Sequence, residues 1–231
     1  MRYVRKRWML VIPAAIALAF TISVITYRSA YLAPPDPSPN FMGQAGSFYY
    51  TGQSQRNGSI YVNLSVKLKD PNALQTYVEA NRQRGNRLVS QGLESVPVQI
   101  TFNHPVPLSE ARVLARDTGL QVTSFNMVGR TSSGGRGTHI RAGSLEQDAP
   151  AMIDAGRIRK GEQLTLAGVM LIQGTAQNSQ GLAQLLADKR IFLVDTSEVE
   201  VRDLIASRHA SIAAGKQLTI SRPSPFWSFD W

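Results

Sequence analysis

The chain has 231 residues, 43% hydrophobic and 18% charged, an ordinary folded composition that excludes a disordered or low-complexity protein. It contains no cysteine, which excludes a disulfide framework, a thiolate nucleophile and a cysteine-ligated metal, and a bacterial envelope suits it better than the small secreted modules that rely on disulfides. The formal net charge of +9 suggests nucleic acid until it is divided along the chain: Arg2, Arg5, Lys6, Arg7 and Arg28 supply five of it, and the other 20 bases and 16 acids leave +4 spread over about 200 residues. That density is too low to track phosphates, so no nucleic-acid partner is expected.

Residues 1–7 read as a basic cytoplasmic tail and residues 8–27, WMLVIPAAIALAFTISVITY, as a membrane span. Twenty uncharged residues at about 1.5 Å each match a hydrocarbon core of about 30 Å. The basic cluster precedes the apolar run, so the positive-inside rule leaves the N-terminus in the cytoplasm and the rest outside it, with Trp8 and Tyr27 at the two interfaces. A cleaved leader competes with this reading, but leaders carry an apolar stretch of about 7 to 15 residues and end in a small-x-small site, whereas here Arg28 precedes Ser29 and Ala30.

Residues 28–58 read as a linker. Pro34, Pro35, Pro37 and Pro39 favour an extended spacer, and residues 43–58, rich in Gly, Ser, Gln and Tyr, show no period. The ectodomain is expected over residues 59–222. Ile60, Val62, Leu64, Val66 and Leu68 alternate with polar residues, the pattern of a half-buried strand. Asp70 and Pro71 then open a polar helix running to about Gln91, with Leu74, Val78, Leu88 and Val89 as a thin apolar stripe, so the helix should lie on the surface.

Two similar units follow, at about residues 96–128 and 164–197. In the first, a strand over 98–102 leads to a helix with Ser109 as N-cap, Glu110 in the first turn and Leu108 stapled to Val113. Gly119 stops that helix, and a strand over 120–128 returns. In the second, a strand over 164–174 leads to a helix capped by Asn178 or Ser179, and a strand over 190–194 returns. Superposing residues 102–119 on 172–189 aligns strand, helix and return, so the chain reads as a duplicated β-α-β in an α+β fold, an antiparallel four-stranded sheet with helices on one face. Over about residues 96–197 this arrangement resembles the ferredoxin-like modules of subtilisin-type propeptides and inhibitors. Between the units, residues 129–143 form a glycine-rich exposed insertion and residues 148–159 a short helix. A last helix over 198–214, with Ser197 and Glu200 as a capping box, precedes a strand over 217–220.

No catalytic or cofactor constellation stands out, and no cofactor or metal is expected. His104, His139 and His209 have no second ligand at helical spacing. Asp188 and Asp195 flank the 191–194 strand and invite a check for paired-carboxylate chemistry, while Glu198 and Glu200 suit the first turn of a helix. The stretch from Gly129 to Gly137 has the glycines of a phosphate loop without its G-K-[ST] ending, and Arg130, Arg136 and Arg141 are the candidate contacts for an anionic group. In the tail, residues 223–231, the aromatics Phe226, Trp227, Phe229 and Trp231 are the candidate docking residues. They either pack back on an open face of their own domain or dock on a partner or the bilayer interface. The sequence therefore points to a membrane-anchored, non-enzymatic binding or assembly module of the envelope with a protein partner. A protease-inhibitor-like regulator is the alternative, and an enzyme with dispersed residues a weaker one.

Overall fold

The computed structural model describes residues 41–143, 145 and 164–229, and their fold is α+β, with one mixed and one antiparallel sheet and five helices. The predicted span at 8–27 and the predicted short helix at 148–159 lie outside the described residues. Among those described, no helix is long and apolar enough to cross a membrane.

Structure begins earlier than the sequence pattern predicts. Strands β1 (Phe41–Ala45) and β2 (Phe48–Ser54) form a hairpin inside the expected linker and pair with β3 (Ile60–Ser65). Phe41, Ala45, Phe48 and Tyr50 point inward, but Gly43 and Gly52 occupy the remaining inward positions and erase the period of two. Both glycines are required by packing. A Cβ at Gly52 would lie 2.0 Å from the Phe41 ring, and one at Gly43 would lie 2.3 Å from the Tyr50 hydroxyl.

Helix α1 (Pro71–Ser90) follows. Asp70 caps it by accepting from the N–H groups of Asn72 and Ala73, with Pro71 in the first turn. The helix keeps an exposed face, but its buried face, Tyr77, Asn81, Arg84, Gly85 and Leu88, is mostly polar or glycine, and of the predicted stripe of Leu74, Val78, Leu88 and Val89 only Leu88 is buried. A hydrophobic stripe therefore could not reveal it.

The second sheet has the order β6-β5-β7-β4-β8 and is antiparallel throughout. Its strands are β4 (Val96–Val106), β5 (Leu120–Thr131), β6 (Arg136–Ala142), β7 (Leu164–Ala176) and β8 (Ile191–Asp195), and helices α2 (Leu108–Asp117) and α3 (Ser179–Ala187) cross between them. β4 and β5 run parallel with β7 between them, and β7 and β8 run parallel with β4 between them. The expected glycine-rich insertion is instead a hairpin, since β5 continues to Thr131 and pairs with β6 from Arg130↔Arg136 to Ser124↔Ala142.

Two predicted caps fail. Pro107, not Ser109, stands at the N-cap of α2, and Val113 remains 44% exposed while Leu108 packs into the core, so the staple does not form. Gly119 does stop α2, with φ of +62°. Asn178 caps α3 by accepting from the Gly181 N–H at 2.7 Å. The last predicted helix divides at His209 into α4 (Ser197–Arg208) and α5 (Ala210–Ala213), and β9 (Leu218–Ser221) then pairs in parallel with β3, giving the first sheet the order β1-β2-β3-β9.

One core lies between the second sheet and α2 and α3, with Ile100, Phe102, Phe125, Ile172 and Leu182 at its centre. The other lies under the first sheet, where Phe48, Tyr50, Ile60 and Val62 meet Tyr77, Val201 and Ile205. Helix α3 rests on the end of α2 through Gly181, where a Cβ would sit 1.9 Å from the backbone oxygen of Thr118. Backbone cannot yield as a side-chain tip can, so Gly181→Ala should cost about 1–3 kcal/mol by overpacking, read as a lower urea midpoint.

Candidate binding groove and the polar clasp beneath it

The inner face of α1 is built for hydrogen bonding. Tyr77 O–H donates to Asp195 Oδ2 at 2.6 Å and lies 3.1 Å from Ser197 Oγ. Asp195 Oδ1 also accepts from the N–H of Ser197 at 2.9 Å and from its hydroxyl at 2.5 Å. One turn along α1, Asn81 Oδ1 accepts from the Thr196 N–H at 2.9 Å and from Arg84 Nη1 at 2.8 Å, and Arg84 Nη2 pairs with Glu200. These bonds tie α1 to the β8–α4 turn. The predicted capping box is thereby corrected: Thr196 is the N-cap residue and makes no side-chain cap bond, and Ser197 is engaged by Asp195 instead.

Burial is the main reason the Tyr77 hydroxyl titrates well above its ordinary 10.0; the Asp195 charge and hydrogen bond add to it, while Ser197 and Asn81 pull the other way. Tyr77 therefore stays a donor. Tyr77, Asp195 and Ser197 have the residue types of acid–base machinery but are fully buried, and the Ser197 proton is committed to the carboxylate. We read them as a clasp.

Residues of α1 and α4 also line a groove of about 460 Å³. Leu88, Val199 and Leu204 supply apolar surface, Arg87 gives the α1 wall a basic rim and Asp203 gives the α4 wall an acidic one, while Arg84 and Glu200 pair with each other across the groove. Helical spacing produces this: Arg84, Arg87, Leu88 and Gln91 fall at i, i+3, i+4 and i+7, and Glu200, Asp203, Leu204 and Ser207 repeat the pattern on α4, with Val199 beside them. Leu88 and Leu204 were legible as apolar positions, but nothing local to either helix reveals that the two lie side by side.

The predicted site residues are scattered. Phe226 is buried in its own domain against Val128, Met170 and Leu171, and Phe229 packs beside it with its ring 4.7 Å from that of Phe192. The two are therefore intramolecular contacts here, not exposed docking residues. The side chain of Trp227 and the whole of Trp231 lie outside the description. The chain forms a 3-10 turn at Pro225–Ser228, so the alternation of an extended tail does not hold, and positions 226 and 229 share a face. Arg130 and Arg136 are exposed opposite each other in the β5–β6 hairpin, Arg136 Nη1 donates to the Phe229 carbonyl at 2.8 Å, and the side chain of Arg141 is outside the description. No phosphate-type loop is present between them, only the turn from 132 to 135.

Asp188 and Asp195 are not brought together. Asp188 binds Arg190 at 2.7 Å, and that hydrogen bond is the largest cause holding its carboxyl below the ordinary 3.8. Asp195 lies at the far end of β8 in the clasp. His209 stacks on Phe41, with centroids 4.4 Å apart, and its Nε2 lies 3.5 Å from the Tyr50 hydroxyl, so it serves the first sheet's core. Among the described residues, no group of three or more His, Asp and Glu converges as a metal site would require. Comparison with protein-family models, with curated proteins and with solved structures finds no match to this chain.

Proposed function

We propose that the chain is a single-pass membrane protein whose described unit stands outside the cytoplasm as a non-enzymatic binding or assembly module of the cell envelope. The groove between α1 and α4 carries the binding part of this reading. It offers apolar surface between a basic and an acidic wall, a form suited to an amphipathic segment of a protein partner, and the buried clasp holds the two walls in a fixed register. The membrane part rests on the basic tail and the uncharged run at 8–27.

The strand order β5-β7-β4-β8, with α2 and α3 crossing in two split β-α-β units, supports a ferredoxin-like reading of the second sheet, to which β6 is an added edge. The same order favours a second reading, a propeptide-like or inhibitor-like regulator of a protease, by architecture alone.

A photo-crosslinking residue at Leu204 in the full chain, expressed in its native membrane, should give a discrete protein adduct that Arg87→Glu weakens. The same residue at Val113, exposed on α2, should not. Equal adducts at both positions would remove the groove reading, and a protease as the captured partner would favour the regulator. Protease protection of residues 1–7 in sealed membranes tests the topology separately.

A further inference from the structure

The first sheet buries one face and leaves the other to solvent. On the solvent side, the pairings Met42↔Thr51↔Asn63, Gln44↔Tyr49↔Ser65 and Gln53↔Tyr61 set Met42, Tyr49 and Tyr61 on one surface. These three are 78%, 49% and 38% exposed, and they are three of the five large hydrophobic side chains left exposed among the described residues. A depression of about 430 Å³ runs between Met42, Thr51, Gln53, Tyr61 and Asn63. Single exposed hydrophobics need no explanation, but a cluster on one sheet face marks an interaction surface.

Charge and chain length say what the surface meets. Residues 41–70 carry Arg56, Lys67 and Lys69, all exposed, against one carboxylate, Asp70, which caps α1. Arg56 lies in the turn before β3 and the two lysines follow β3, so bases flank the apolar patch at both ends of the strand. Thirteen residues, 28–40, separate the apolar run from β1, and even fully extended they reach no more than about 45 Å. The tether joins the unit at β1, an edge strand of this sheet. Tyrosine is a residue of the headgroup layer, and each base near an anionic leaflet adds attraction.

We propose that the outer face of the β1-β2-β3-β9 sheet lies on the anionic surface of the bilayer that holds the anchor. Met42 enters the acyl boundary, Tyr49 and Tyr61 sit among the headgroups, and Arg56, Lys67 and Lys69 face lipid phosphates. This rests on the membrane-anchored reading above.

The absence of native cysteine makes a single-cysteine probe clean. The full chain, labelled with an environment-sensitive fluorophore at Met42→Cys, Val113→Cys or Ala17→Cys, is reconstituted in phosphatidylglycerol–phosphatidylcholine vesicles with brominated acyl chains. The expected result is strong quenching at 42 and 17 and none at 113. Quenching at 42 should be lost in the triple variant Arg56→Gln, Lys67→Gln, Lys69→Gln, and in vesicles without phosphatidylglycerol, while quenching at 17 persists. A label at 42 as bright as the one at 113, with 17 quenched, overturns the docking surface and leaves the anchor standing. A label at 17 that is not quenched overturns the anchor and the proposal with it. Protection of position 42 in native membranes but not in vesicles assigns the face to a protein and overturns the lipid contact.

Discussion

Replacing Asp195 by alanine should destabilise the fold by about 3–5 kcal/mol, because it removes the shared acceptor of three buried donors, of which only the Tyr77 and Ser197 hydroxyls, 3.1 Å apart, can turn to one another. Tyr77 O–H, the Ser197 N–H and the Ser197 hydroxyl all end on this carboxylate, and all three residues are fully buried, so water cannot take its place. Tyr77→Phe removes one donor to a charged acceptor and should cost about 1.5–3 kcal/mol. The double variant should lose less than the sum, since either change removes the same bond. Urea unfolding monitored by circular dichroism measures each. The clasp also sets an alkaline signature. The folded Tyr77 hydroxyl titrates above its unfolded value of 10.0, so its contribution is complete below pH 10 and is lost as pH rises from there toward the folded value. Above about pH 10 the wild type should therefore lose more stability than Tyr77→Phe does. An equal loss in both would mean that Tyr77 is not buried against Asp195.

How much of this was legible in the sequence depended on whether packing was done by apolar side chains. Ile60, Val62 and Leu64 announce β3, and Asp70 with Pro71 announces the start of α1, because the signals are local and side-chain chemistry alone produces them. The β-α-β stretches were readable for the same reason. The β1–β2 hairpin was not, because Gly43 and Gly52 fill inward slots that aromatic rings cover from neighbouring positions, and a glycine carries no hydrophobic signal. The buried face of α1 was hidden by its polarity: Asn81 and Arg84 read as solvent-facing until Thr196 and Glu200, more than a hundred positions away, are placed against them. The groove inherits this difficulty, since it exists only once α1 and α4 are neighbours. The tail was partly legible. Four aromatics in six residues demand burial or a partner, but the 3-10 turn that selects Phe226 and Phe229 follows from the tertiary contact and not from the alternation of types.

Phe226→Ala should be the most destabilising single change in the tail, by about 3–5 kcal/mol. Its ring is 1% exposed, against Val128, Met170 and Leu171, with Phe229 packed beside it. The segment is held there by polar contacts as well. Gln99 Nε2 donates to the Pro223 carbonyl at 2.6 Å, Gln173 Nε2 donates to Gln99 Oε1 at 2.9 Å, and Arg136 reaches the Phe229 carbonyl. Gln99 is itself fully buried, so lifting the tail would leave an amide without its acceptor beside an uncovered apolar surface. At about 2–4 °C per kcal/mol for a unit of this size, Phe226→Ala should lower the melting temperature by about 10 °C, and deleting residues 223–231 should lower it further. Phe226→Leu, which keeps most of the volume, should recover much of the loss. A melting temperature unmoved by Phe226→Ala would mean that the aromatic does not pack on its own sheet and would return the tail to the role of a docking element.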